Sequence, residues 1–146
     1  MNVYGSFPGV RMRRMRRDEF SRRLMREHVL TSNDFIYPVF VIDGKAKAQA
    51  VPSMPGVSRY TLDKLLPVAE KCLKLGVPVL ALFPSIEPSL KTSDGREATN
   101  QKGLVPRVVA ALKKRFPELG VMTDVALDPY TSHGQDGIVD EKGYVL

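Results

Sequence analysis

The sequence predicts an α/β fold: the N-terminal part of a (β/α)8 TIM barrel, preceded by an extended N-terminal arm. Continuous apolar runs typical of buried parallel strands alternate with segments in which apolar residues recur every 3.6 positions. Strands that alternate with helices require crossover connections and a parallel sheet. No dinucleotide or Walker phosphate-binding sequence follows any predicted strand. A complete barrel takes about 250 residues, and this chain has 146, which indicates the first part of one.

The predicted elements divide into an arm, residues 1–33, and a barrel portion, residues 34–146, with the first three βα units and a hairpin. In the arm, residues 18–28 are predicted to form a short helix with Phe20, Leu24 and Met25 on one side. The barrel portion opens with a strand at residues 35–42, although Pro38 cannot donate a ladder hydrogen bond. The apolar run at residues 79–83 predicts a strand buried on both faces, and residues 120–125 are predicted to form a third buried strand.

Helices are predicted between these strands. Thr61 can cap the first one, and Gly76 ends it. The second presents an inward apolar stripe, which consists of Leu104, Val105, Val108, Val109, Leu112 and Phe116. Residues 137–146 are predicted to form a hairpin that turns at residues 140–143.

Composition and charge exclude several classes of protein. The chain is 43% hydrophobic and 26% charged, which excludes wholesale disorder, and no apolar run approaches the length of a membrane span. Its single cysteine, Cys72, cannot form an internal disulfide, which fits a reducing cytoplasm and excludes a Cys-rich zinc module. The net charge is +6, and residues 1–30 contain eight arginines.

The candidate site follows the third predicted strand, where the chemistry of a parallel barrel is located. Residues 124–137, called the aspartate loop below, contain Asp124, Asp128 and Asp136 together with Tyr130 and His133. Converging carboxylates can bind a hard cation, or their repulsion can raise one pKa for acid–base work. Alternatively, Asp128 and Asp136 only initiate turns and Asp124 alone faces the barrel mouth. For His133 a loop hydrogen bond is expected rather than nucleophilic catalysis with its neighbour Ser132.

The aspartate loop resembles the active-site loop of the porphobilinogen synthase (δ-aminolevulinic acid dehydratase) family. Zinc-using members have three cysteines at the positions of Ala126, Asp128 and Asp136, so this chain resembles the aspartate-rich branch without active-site zinc. Because carboxylates favour Mg²⁺ or a monovalent cation, the resemblance implies such an ion, held by Asp128 and Asp136. Asp124 would have a supporting catalytic role. Further matching stretches lie at residues 13–17, 37–41, 52–56, 80–83 and 115–118.

The resemblance implies condensation of two 5-aminolevulinate molecules to porphobilinogen with loss of water, in tetrapyrrole and haem biosynthesis. It also implies a homo-oligomer, up to an octamer, assembled through the arm. The family's two Schiff-base lysines lie on later strands, and no lysine of this chain is expected at a strand end. We therefore expect an inactive fragment whose open sheet edge prevents cooperative folding as a monomer.

Two alternatives remain at this point. The chain could belong to another barrel synthase or aldolase, which keeps the fold but not the identity of the loop. The arginines between residues 11 and 26 could instead form a nucleic-acid-binding module. The interspersed Met12, Met15, Phe20 and Leu24 favour protein docking over a phosphate track, so neither nucleic acid nor membrane is expected as a partner.

Overall fold

The computed structural model describes residues 5–146, which form two compact units, residues 5–31 and 32–146. The first unit contains helices α1 (Arg14–Arg17) and α2 (Glu19–Met25). The predicted helix over residues 18–28 is thus too long, because the backbone turns extended at Arg26, with φ −68° and ψ 117°. Phe20 and Leu24 are 73% and 74% exposed on this unit.

The second unit is a five-stranded sheet with two helices. Its strands are β1 (Ile36–Val41), β2 (Ala48–Ala50), β3 (Ser58–Tyr60), β4 (Val79–Pro84) and β5 (Gly120–Thr123). The helices are α3 (Leu62–Lys74), between β3 and β4, and α4 (Leu104–Arg115), between β4 and β5. Strand order is β2-β3-β1-β4-β5, and every pair is parallel except β2 with β3. This alternation confirms the predicted α/β class.

Strand β1 accommodates Pro38 because of where its neighbours end. β4 pairs along the whole of β1, whereas β3 pairs only with Phe40 and Val41. The N–H of Ile42 donates to Tyr60 on the β3 side, and backbone groups alternate sides along a strand. The nitrogen of Pro38 therefore points to the β3 side, beyond the end of β3, where its missing donor costs no hydrogen bond with a described strand.

The core lies between one face of the sheet and the two helices. Alternate strand residues point into it, including Val39 and Val41 of β1 and Leu80 and Leu82 of β4. The helices contribute periodic stripes: Leu65, Ala69 and Cys72 from α3, and Leu104, Val108 and Leu112 from α4. Burying each Leu or Val side chain contributes about 1.5–3 kcal/mol, which is why these elements are strongly specified.

Strand β5 differs from its prediction in length and burial. It ends at Thr123 rather than residue 125, and its Met122 is 47% exposed. The prediction of a buried strand is wrong here because, among the described strands, β5 pairs with β4 alone and occupies the sheet edge. Even in β4, Phe83 remains 36% exposed on the face opposite the core.

Two hairpin regions complete the unit. Strands β2 and β3 form an antiparallel hairpin around the turn at residues 52–56, and this hairpin was not predicted. The C-terminal hairpin is confirmed in reduced form: Val139 and Val145 make an isolated antiparallel bridge. Its turn is closed by Asp140, whose carboxylate accepts the N–H groups of Lys142 and Tyr144 at 2.8 and 2.9 Å.

Candidate active site

The aspartate loop begins directly after β5, at the carboxyl ends of the parallel strands. It borders an open depression of about 1040 Å³ beside the N-terminal half of α4. All three predicted aspartates line this depression, as do Thr123, Val125, Ala126, Leu127, Tyr130, Ala98, Val105 and Pro106. The structure thus places Asp124, Asp128 and Asp136 around one space at the edge where a parallel barrel positions its chemistry.

Asp136 closes the loop on itself. Its Oδ1 accepts the backbone N–H of Leu127 at 2.7 Å and that of Asp128 at 2.9 Å. These bonds, from Asp128 first and then Leu127, lower the pKa of the Asp136 carboxyl below its ordinary value, because they favour the charged form. Asp136 is therefore an ionised carboxylate whose charge holds the first half of the loop in place.

The charged groups that line this depression, and that could bind a metal ion, are all carboxylates. Asp124 and Asp128 are both exposed, and Cys72 is buried in α3, where burial raises the pKa of its thiol. Within residues 5–146 no three His, Cys, Asp or Glu side chains are close enough together to hold a metal ion. Two carboxylates with water completing the coordination suit a hard cation such as Mg²⁺, and the donor set does not suit a thiolate-ligated zinc.

The second half of the aspartate loop is anchored to the turn at residues 92–95. Thr131, 2% exposed, makes an isolated parallel bridge with Thr92. Gly95 packs directly under the loop with a positive φ of 62°, so close that a Cβ would lie 3.3 Å from Thr131 Cγ2. Burial, followed by the nearby charge of Glu97, raises the pKa of the Tyr130 phenol.

His133 makes the loop hydrogen bonds expected from the sequence. Its Nε2 lies 3.0 Å from the Ser93 carbonyl oxygen, and its Nδ1 accepts the N–H of Gln135 at 3.2 Å. Both ring nitrogens are thus engaged by backbone groups, and the ring serves the loop rather than activating Ser132.

The structure adds basic residues that sequence reasoning missed. Arg59 of β3 and Lys91 line a smaller depression of about 350 Å³ together with Asp128 and Phe40. Arg59 is in register with Phe40, so both lie on the sheet face opposite the core. Arg59 could have been found only by predicting β3, whose three residues carry no apolar alternation. None of the ten lysines, all of which lie within the described residues 5–146, is part of a strand.

An ion pair ties the turn that follows β1 to the first half of α4 at the same edge of the sheet. The Arg107 guanidinium lies 2.5 Å from Asp43 Oδ2 and also donates to the carbonyls of Lys102 and Gly103. This guanidinium holds the pKa of the Asp43 carboxyl below its usual range. Pro106 is the third residue of α4, where a backbone N–H has no acceptor within the helix, so its missing N–H costs no helical hydrogen bond.

Parallel βα units with a carboxylate-bearing loop after β5 define the class of barrel enzymes that work at the carboxyl ends of their strands. The family model described as "Delta-aminolevulinic acid dehydratase" matches residues 9–146. The chain belongs to the δ-aminolevulinic acid dehydratase family.

Individual relatives agree with this assignment. The chain is 51% identical over 130 residues to the δ-aminolevulinic acid dehydratase of Bradyrhizobium diazoefficiens, covering 89% of this chain and 37% of that protein. It is 40% identical over 134 residues to that of Synechocystis, covering 92% and 40%. A solved structure of the Toxoplasma gondii enzyme, in complex with the reaction product porphobilinogen, superposes with a TM-score of 0.88 at 39% identity. That match covers 94% of this chain and 39% of the solved one, so the chain spans about two-fifths of its relatives and a corresponding part of the barrel.

Proposed function

We propose that the protein containing this chain condenses two 5-aminolevulinate molecules to porphobilinogen with loss of water. The observation that carries the proposal is the aspartate loop, which places three carboxylates around one depression at the carboxyl end of β5. Membership of the dehydratase family supports the same chemistry, and it disfavours an unrelated barrel synthase or aldolase. This chain would contribute the cation-binding part of the active site.

Asp128 and Asp136 would hold Mg²⁺ or a monovalent cation rather than an active-site zinc. The bound cation would supply positive charge that polarises substrate oxygen or an adjacent water. Asp136 keeps its negative charge because two backbone N–H groups stabilise it, so its carboxylate is ready to bind at neutral pH. Asp124, the first residue after β5 and on the same depression, would orient the loop or accept a proton.

The lysines of this chain do not fit the role of Schiff-base formation. A Schiff-base lysine needs a partly desolvated or cation-flanked site that lowers its pKa. The lysines here lie on loops, turns and helices, and Lys91 lines the smaller depression together with Asp128. The isolated chain is therefore expected to be inactive.

The arm, residues 1–33, would join subunits of a homo-oligomer, up to an octamer. Its helix α2 exposes Phe20 and Leu24, which suit a protein surface better than a nucleic acid. Within residues 5–146 no helix is long and apolar enough to cross a membrane. A cytoplasmic location, supported by the lone reduced thiol of Cys72, belongs to the same proposal.

Steady-state assays of the full-length protein test the site. Asp128→Ala and Asp136→Ala are each expected to lower activity, or to raise the Mg²⁺ or K⁺ concentration needed for half-maximal activity, by about 10–100-fold. Glu141→Ala is the matched control, because Glu141 is an exposed carboxylate in the C-terminal turn. Unchanged turnover and unchanged cation dependence in both aspartate variants would refute the assignment.

A further inference from the structure

The imidazole of His133 joins two loop segments that are 40 positions apart in the chain. Its Nε2 lies 3.0 Å from the carbonyl oxygen of Ser93, and its Nδ1 lies 3.2 Å from the backbone nitrogen of Gln135. A carbonyl oxygen can only accept and a backbone N–H can only donate. Both contacts therefore require the same neutral tautomer, with the ring proton on Nε2.

The segment that contains Ser93 is already paired with the aspartate loop through the backbone. The N–H of Thr92 donates to the Tyr130 carbonyl at 3.2 Å, and the Thr92 carbonyl accepts the N–H of Ser132 at 3.0 Å. His133 extends this pairing by one residue, because its ring, rather than a backbone N–H, contacts the Ser93 carbonyl. The ring thus ends the short ladder that holds the loop against the turn at residues 92–95.

Gln135 connects this ladder to the carboxylates. Its N–H donates to His133 and its carbonyl accepts the Thr131 hydroxyl at 2.9 Å, so both of its backbone groups are fixed. The next residue is Asp136, whose carboxylate accepts the backbone N–H groups of Leu127 and Asp128. Hydrogen bonds therefore link the Ser93 carbonyl through the imidazole to Gln135, which precedes Asp136 in the chain, and the Asp136 carboxylate in turn accepts the backbone N–H of Asp128.

We propose that His133 is a positioning residue that fixes the backbone carrying Asp136 and so sets the geometry of the cation site. The inference rests on the proposed function, because the cation at Asp128 and Asp136 is part of it. His133 acts through Gln135 and is not itself a ligand, since both of its nitrogens are used by backbone groups. Removing outer hydrogen-bond partners of metal ligands typically lowers metal affinity or activity by about 10–100-fold.

Two near-isosteric substitutions separate the two hydrogen bonds. In His133→Asn the side-chain oxygen takes the place of Nδ1 and can accept the N–H of Gln135, but the side chain is too short to reach Ser93. In His133→Gln the amide nitrogen can reach the Ser93 carbonyl, but no acceptor remains near Gln135. His133→Ala removes both bonds, and Ser132→Ala, at an exposed position beside the ring, is the matched control.

The experiment measures Mg²⁺ binding to the full-length protein by titration calorimetry and amide hydrogen exchange across residues 124–137. His133→Ala and His133→Gln are expected to weaken Mg²⁺ binding by about 10–100-fold and to speed exchange of the Gln135 amide. The Mg²⁺ affinity of His133→Asn is expected to stay within about threefold of wild type, because this variant keeps the acceptor for the Gln135 N–H. Ser132→Ala should match wild type in both measurements.

Several results would overturn the proposal. Unchanged Mg²⁺ affinity in His133→Gln, or a lower Tm with unchanged affinity, would reduce the ring to a purely structural role. If His133→Ala does not fold, the Asn and Gln variants still separate the two bonds. Wild-type protein that binds neither Mg²⁺ nor K⁺ in such titrations would refute the cation site of the proposed function, whereas exchange of the Gln135 amide tests the positioning role independently.

Discussion

Gly95 offers a direct test of how the turn at residues 92–95 supports the aspartate loop. Its φ of 62° is in the left-handed region, and a Cβ added there would lie 3.3 Å from Thr131 Cγ2 and 3.6 Å from Leu127 Cδ2. A side chain at this φ costs about 1–2 kcal/mol. Thr131 is 2% exposed and cannot swing into solvent, so relief of the contact requires the loop to move by a few tenths of an ångström.

Gly95→Ala is therefore expected to affect both stability and catalysis in the full-length protein. Stability should fall by about 1–2 kcal/mol, which lowers Tm by about 2–4 °C for each kcal/mol in a domain of about 150–250 residues. Because a displacement of about 1 Å can cost about 100-fold in rate, the smaller shift should lower kcat/KM for porphobilinogen formation by about tenfold.

Gly56→Ala is the matched control for this variant. Gly56 also has a positive φ, 83°, but nothing lies within 4 Å of an added Cβ, and it belongs to the hairpin turn far along the chain from the aspartate loop. Thermal melts should show a similar loss of stability, while steady-state kinetics should match wild type. Unchanged kinetics in Gly95→Ala, or an equal kinetic loss in Gly56→Ala, would refute the reasoning.

Three further predictions concern acid stability, the thiol and the isolated chain. Because the pKa of Asp136 is lowered in the folded protein, its contribution to stability is present above the ordinary value of about 3.9 and is lost as pH falls through the lowered one. Asp136→Asn should therefore melt below wild type at pH 6, with a difference that shrinks toward pH 3; a pH-independent difference would contradict this. Cys72, 6% exposed and with its pKa raised by burial, should react with a chromogenic disulfide at pH 8 at least about tenfold more slowly in native than in unfolded protein, and equal rates would place it at the surface. The isolated chain should form no porphobilinogen and should self-associate through the edge of β5 on size-exclusion chromatography; a sharp melt of a monodisperse 16.3 kDa species would contradict this.

The elements that the sequence predicts well are those with a strong period and a clear stop. Helix α3 repeats its apolar residues until Gly76, whose φ of 75° allows the chain to leave the helix. In β1 and β4 the continuous apolar runs identify the strands, and β1 tolerates Pro38 because β3 pairs only with Phe40 and Val41. Such local patterns predict these elements because the apolar residues that form the pattern are the same residues whose burial stabilises the helix or strand.

The hairpin of β2 and β3 could not be predicted in this way. Its strands have three residues each, and β2 is exposed throughout, so no alternation of buried and exposed residues marks them. Turn residues at 52–56 were the only local signal. Consequently Arg59, which β3 brings to the same face as Phe40, was missing from the predicted site.

The aspartate loop shows the same division between composition and geometry. Its three carboxylates are visible in the sequence, and their place after β5 follows from the strand order. The sequence does not reveal that Asp136 is the carboxylate that closes the loop, because its hydrogen-bond partners lie eight and nine positions away in the chain. The bridge from His133 to Ser93 spans 40 positions, and only the packing of the loop on the turn at residues 92–95 brings these residues together.

We propose that the protein containing this chain forms porphobilinogen without active-site zinc and that its aspartate loop holds the cation used instead. The most direct measurement is porphobilinogen formation from 5-aminolevulinate by the full-length protein after treatment with a chelator and addition of single cations. Mg²⁺ or K⁺ is expected to sustain or restore activity in wild type but not in the double variant Asp128→Ala/Asp136→Ala. Activity restored by Zn²⁺ alone, or equal activity in wild type and the double variant, would contradict the claim.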